Sequence, residues 1–194
     1  MPNCFNIAIF ISGAGSNAKN LIHFFSQIKN QHVSLVLSEK INPELEQLCA
    51  SEKIRFLHVD KNQSSNADYL LETCLKYDIN CVVLAGFLKK IPEKLIQHYP
   101  DRIVNIHPSL LPKFGGKGMY GDHVHRAVLE AKEEESGITI HLVNEEYDKG
   151  KILAQFSLAI ESTETVESLR EKIKKLEHTH LPQVVHTLLL STEA

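Results

Sequence analysis

The sequence predicts an α/β fold, a mostly parallel doubly wound sheet of about seven strands that ends in a C-terminal antiparallel hairpin. Three observations predict it. Short β-branched runs alternate with longer amphipathic stretches, no repeat or low-complexity linker breaks the alternation, and the last two apolar runs are joined by the short connector Asn144 to Gly150. At 194 residues the chain forms one expected domain, 1–194, burying roughly 70% of the surface its unfolded form exposes.

Strands are expected at Phe5 to Ser12, Val33 to Ser38, Ile54 to Val59, Cys81 to Ala85 and Ile103 to His107, each a β-branched run closed by a turn signal. The stretches 16–29, 42–52, 65–77 and 92–98 have helical periodicity, and Pro92 suits a first turn. Such crossovers make neighbouring strands parallel, with helices on both faces. A helix from Asp122 to Lys132 follows the Gly-rich stretch Gly115 to Gly121, and Ile138 to Val143 with Ile152 to Ile160 forms the hairpin. Thr163 or Thr165 caps a last helical region that runs to Leu190 and is kinked or interrupted at Pro182.

With 43% hydrophobic and 23% charged residues the chain is ordinary for a globular protein, and a net charge of −3 offers no broad basic surface for nucleic acid. Small molecules are the expected partners. Neither a signal peptide nor a membrane span is legible, so a cytoplasmic location is expected, as a monomer or homodimer. Cys4, Cys49, Cys74 and Cys81 are scattered without a ligand pattern and are expected to be buried thiols. The HxH pairs His123/His125 and His178/His180 lack a third ligand at a recognisable spacing, so no metal is expected.

In a sheet of this kind ligands bind beyond the carboxyl ends of the strands. There the sequence places Ser12-Gly13-Ala14-Gly15-Ser16-Asn17, a glycine turn into a helix that offers backbone donors to a phosphate. The same loop matches a dinucleotide fingerprint, with Glu39 at the end of the second strand as ribose-binding acid, or is a tight turn and nothing more. Asn105 and His107 share one face of their strand, an amide beside an imidazole, which suits an oxyanion and a proton in flight. Asp148, in the hairpin connector, can orient that imidazole or serve as an ordinary turn aspartate. His141 is either a member of the site or a satisfied structural histidine.

Five motifs in order resemble the folate-dependent phosphoribosylglycinamide formyltransferases: Ile11 to Asn17, Val83 to Phe87, Asn105 to Lys113, Gly137 to His141 and Asp148 to Gly150. The resemblance implies formyl transfer from 10-formyltetrahydrofolate to glycinamide ribonucleotide in purine synthesis. It implies that Asn105, His107 and Asp148 are catalytic, with His107 protonated. Gly15, Ser16 and Asn17 would hold the phosphate and Glu177 the sugar. Leu88, Lys89, Lys90 and Ile91, with Asn105, Val143 and Asn144, would line the folate pocket. Relatives carry an arginine on the folate side where this chain has Ser64 to Asp68, and Lys89 or Lys90 can supply the missing charge. The Gly115 to Gly121 loop is longer than the usual connector.

Related formyltransferases acting on methionyl-tRNA add a basic C-terminal domain, and formyltetrahydrofolate deformylases add an N-terminal one. Neither extra domain fits within 194 residues. A nicotinamide oxidoreductase and an idle nucleotide-binding module are the rivals from other classes, separable by NAD binding and by turnover.

Overall fold

A computed structural model describes residues 4–191. Seven strands, β1 (Phe5–Ile11), β2 (Gln31–Ser38), β3 (Arg55–His58), β4 (Cys81–Leu84), β5 (Ile103–His107), β6 (Glu135–Leu142) and β7 (Ile152–Ala159), form one sheet in the order β3-β2-β1-β4-β5-β6-β7. β3, β2, β1, β4 and β5 are parallel, whereas β6 is antiparallel to β5 and β7 to β6. The order reverses at β1, whose neighbours β2 and β4 lie on opposite sides. That is the switch point at which a crevice opens.

The helices are α1 (Ser16–Phe25), α2 (Pro43–Ser51), α3 (Ala67–Lys76), α4 (Glu93–His98), α5 (Asp122–Glu130) and α6 (Val166–Ser191), with a 3₁₀ turn at Gln63–Ser65. Period-2 alternation splits the core in two. Ile7, Ile9 and Ile11 of β1 pack with Leu21, Phe25, Val124, Ile173 and Val185 on one face, and Ala8 and Phe10 pack with Leu70, Leu95 and Tyr99 on the other. β1 and β4 are buried on both faces, which explains their unbroken apolar runs.

Several expectations need correction. The last helix runs through Pro182 as one element, because the first turns of α6 are already anchored by Leu169 and Ile173 in the core and Leu181 packs beside the proline. Thr165 is its cap, accepting the Ser168 amide at 3.1 Å. Pro92 stands one residue before α4, extended at ψ 140°. Cys4 is exposed, while the other three cysteines are buried and free. Burial pushes the thiols up, to about 11 for Cys49 and about 12 for Cys74 and Cys81, so these three act as small apolar residues. No helix among the described residues is long and apolar enough to cross a membrane.

Candidate active site

The crevice at the switch point is a cleft of about 720 Å³. Gly13 to Asn17, Gly86 to Leu88, Asn105 to Pro108, Gly116 to Gly121 and the inner face of α6 border it. A second cavity of about 70 Å³ adjoins it and shares Phe87, Asn105, Tyr147 and Asp148. The residues expected on the folate side divide between the two. Leu88 borders the large cleft, while Lys89, Lys90, Ile91, Val143 and Asn144 border the small one.

At the mouth of β1 the chain turns into α1 through Gly15, whose φ of 77° is left-handed. A Cβ there would stand 2.8 Å from Leu45 Cδ2 and 3.1 Å from Ile11 Cδ1, so a side chain is excluded twice over. No side chain caps α1, which leaves its first amides facing the cleft. They suit an anion. Asn17 does not aim its amide nitrogen there; Nδ2 donates to Glu177 Oε2 at 2.8 Å, and its Oδ1 is buried without a partner. Burial raises the Glu177 carboxyl above its ordinary range, against the hydrogen bond from Asn17 and the charge of Lys174. Lys174 and Arg170 also border the cleft, and neither was singled out from the sequence. Their spacing with Glu177 on one helical face was the available signal.

Glu39 has both carboxylate oxygens engaged, by the hydroxyls of Ser12 and Ser64. The ribose-binding acid of the dinucleotide reading is therefore already occupied.

The centre is a patch of cross-strand neighbours. Register pairs Asn105 with His141 and His107 with Thr139, so all four side chains lie on one face of the β5–β6 ladder. Thr139 Oγ1 donates to the Ser109 carbonyl at 2.7 Å and accepts the Leu111 amide at 3.0 Å, pinning the chain that leaves β5. His141 Nδ1 lies 2.8 Å from the Leu142 carbonyl, which can only accept. In the neutral ring Nε2 therefore accepts, and it takes one Asn105 Nδ2 hydrogen at 3.0 Å. The other hydrogen makes a long 3.4 Å contact with Asp148 Oδ1. His141 thus orients Asn105.

His107 is 4% exposed. Its Nε2 donates to the Phe114 carbonyl at 2.8 Å, leaving Nδ1 to face Asp148 Oδ2 at 3.6 Å. Burial lowers the His107 pKa below the ordinary value of 6.5, although Asp148 and the Phe114 carbonyl raise it. The direction of that shift favours the neutral ring at rest. Burial pushes the Asp148 carboxyl up, but the facing imidazoles of His141, at 3.6 Å, and His107, with the Gly116 amide at 2.8 Å, together hold it below the usual range.

Because β6 is antiparallel to β5, its carboxyl end lies at the opposite edge from that of β5. Asp148 reaches the site because the connector folds back, with Gly150 close under Leu142 and the Leu142 amide bonded to the Lys151 carbonyl at 2.9 Å. His125, expected only as half of an HxH pair, is buried in the cleft wall with Nδ1 unpartnered, while His123 stacks edge-on with Tyr120. Among the described residues no group of three or more His, Cys, Asp or Glu side chains could hold a metal ion.

The formyl transferase family model matches residues 5–185. The chain is 40% identical over 190 residues to the chloroplastic phosphoribosylglycinamide formyltransferase of Arabidopsis thaliana, covering 95% of this chain and 65% of that protein. It therefore spans just under two thirds of the plant relative's length. The Bacillus subtilis phosphoribosylglycinamide formyltransferase is 32% identical over 188 residues, 94% of this chain and 93% of that one. Among solved structures, the phosphoribosylglycinamide formyltransferase of Bacillus halodurans superimposes with a TM-score of 0.84 at 32% identity, over 95% of both chains.

Proposed function

We propose, from the premise that this chain belongs to the formyl transferase family, that it moves the formyl group of 10-formyltetrahydrofolate onto the amine of glycinamide ribonucleotide. One observation carries the reading. Asn105 and Asp148 border both a cleft that begins at an uncapped helix N-terminus and a second, smaller cavity, and His107 borders the cleft beside them. A phosphorylated amine and a formyl donor can then enter from different sides and meet at the polar patch.

The ribonucleotide phosphate binds the amides of Gly15 to Asn17 and the Ser16 hydroxyl, with Lys174 supplying positive charge. The Asn17–Glu177 pair takes the sugar, since both residues border the cleft and the Glu177 carboxyl offers an acceptor to its hydroxyls. Leu88 to Ile91 and Val143 to Asn144 receive the folate.

The amine lone pair attacks the formyl carbon, giving an oxyanion on carbon and a positive charge on nitrogen. Asn105 turns its second amide hydrogen to that oxygen. The surplus proton leaves the nitrogen for Asp148 or a water on it, and then for His107 Nδ1. A neutral resting His107 is the form able to accept it. The imidazolium now faces the Asp148 carboxylate, and returning the proton to the folate nitrogen lets the C–N bond break. Protons balance: one leaves the amine and one arrives on the leaving group.

Incubation with both substrates tests the reading, formylglycinamide ribonucleotide being the expected product. Formate release without the ribonucleotide would instead establish a hydrolase. Glycinamide ribonucleotide raises the melting temperature and NAD and NADP do not; the reverse pattern sinks the assignment.

A further inference from the structure

Glu39 follows the last residue of β2, with a side chain 13% exposed, and borders neither cavity. Two hydroxyls converge on it. Ser12, just past β1, donates to Oε2, and Ser64, from the turn Gln63–Ser65, donates to Oε1 at 2.8 Å. Ser12 has one hydrogen to give, so its oxygen turns its lone pairs the other way, where the Leu88 amide donates to it at 3.0 Å. The Ser12 amide meanwhile donates to the Gly86 carbonyl at 3.0 Å. Ser12 therefore grips the turn after β4 from both sides, and Lys89 Nζ lies 4.0 Å from Glu39 Oε1.

We propose that Glu39 is a positioning residue for the co-substrate, acting through Ser12 to hold the backbone of Leu88 to Ile91 as the wall of the folate subsite. This rests on the formyl-transfer reading. Both carboxylate oxygens only accept, which commits the Ser12 hydrogen toward Glu39 and leaves the Ser12 oxygen for Leu88. A glutamine can keep this by turning its oxygen to Ser12 and its nitrogen to Ser64, whose hydrogen then passes to the Lys61 carbonyl at 3.3 Å. An apolar side chain cannot, and the Ser12 hydrogen is left without its acceptor, so the Leu88 amide loses its hold.

Glu39→Met, which has no oxygen to accept from Ser12, tests this in the full chain. The KM for 10-formyltetrahydrofolate rises about 3- to 10-fold, the worth of one ordinary hydrogen bond. Turnover and the ribonucleotide KM change by less than about twofold, because neither His107 nor α1 is touched. Ser12→Ala gives the same split, and the double variant is no worse than the poorer single, as expected for residues in one relay. An unchanged folate KM overturns the proposal. So does a fall, which would mean that Glu39 only repels the co-substrate's carboxylates. Hydrogen exchange of the Leu88 amide, faster in Glu39→Met, is read without substrates. Unaltered exchange overturns the relay even if the protein proves inactive in formyl transfer.

Discussion

His107 Nδ1 and Asp148 Oδ2 face each other at 3.6 Å, and the other ring nitrogen is already committed to the Phe114 carbonyl. In the neutral ring this sets a lone pair against a carboxylate, an arrangement that attracts a proton without holding one at rest. Asp148→Asn keeps the shape, but its amide nitrogen must face a donor already there, the Gly116 amide at the Oδ2 position or Asn105 Nδ2 at the Oδ1 position, so the fold is slightly destabilised. The catalytic cost is large, because the imidazolium loses its counter-charge. Turnover falls by about 10²–10⁴, as for loss of a positioned acid or base, and His107→Ala falls in the same range. Residues that act as a unit are not additive, so the double variant is hardly worse than the poorer single. Turnover in Asp148→Asn within twofold of wild type, with ribonucleotide binding intact by calorimetry, removes Asp148 from the mechanism.

Acid should weaken both fold and activity, and the signs can be worked out. Burial lowers His107 and His125 below 6.5, so the unfolded chain takes up their protons first. The stability they hold at neutral pH is lost as pH falls from 6.5 through their depressed values. Asp148, lowered from 3.8, contributes fully above that value and loses its contribution only as pH falls through the depressed one. Glu177, raised above 4.5, acts oppositely and gains stability as pH falls through its raised value. The melting temperature should therefore drop between pH 7 and about 5.5, and less steeply in His125→Gln. An identical slope in that variant exonerates His125. Catalytic efficiency should fall with an apparent pKa under 6.5, since neutral His107 is the competent form. A rate that climbs on acidification shows that the imidazolium is needed instead.

Lys89 and Lys90 border the small cavity, and Lys89 already lies near Glu39. Their attraction for folate carboxylates is that of exposed ion pairs, about 0–1 kcal/mol each. Replacing either with Gln should raise the folate KM by no more than about fivefold, and the difference should vanish in about 1 M salt. A larger or salt-independent effect points to a direct, desolvated contact.

Much of the fold was legible because each helix and strand carries its own periodicity, and Ile7 to Ile11 of β1 and all of β4 read as unbroken apolar runs. Asn105 and His107 were legible as a pair for the same reason, since one strand places them on one face. Contacts between strands were harder. Nothing local in His141 tells that it pairs with Asn105, because that follows from the antiparallel register of β5 and β6. The Phe114 carbonyl and Gly116 amide, which hold His107 and Asp148, escaped because backbone donors and acceptors leave no mark in residue identity. The interruption expected at Pro182 does not occur, because local helix breaking was weighed without the packing of Leu181 and Val185 on either side.

Gly150 tests how Asp148 reaches the site. A Cβ at this position would lie 1.7 Å from the Leu142 carbonyl oxygen and 2.7 Å from its carbon, contacts with backbone that no side-chain rotation relieves. The close approach is what turns the connector back over the β5–β6 face, two residues after Asp148. Gly150→Ala must therefore push the connector away from the end of β6. The overpacking costs about 1–3 kcal/mol, which lowers the melting temperature by about 2–4 °C for each kcal/mol in a chain of this size. If that were all, activity at 20 °C below the melting point would be normal. Displacement of Asp148 predicts more: turnover lowered about 10²-fold, the cost of roughly 1 Å of misplacement, with the ribonucleotide still bound because its phosphate lies at α1. The pH profile supplies a second reading, since His107 deprived of its carboxylate should titrate lower still, as in Asp148→Asn. A Gly150→Ala protein that melts earlier but keeps wild-type turnover and pH profile would show that Asp148 tolerates the shift, and that the tight turn serves the fold alone.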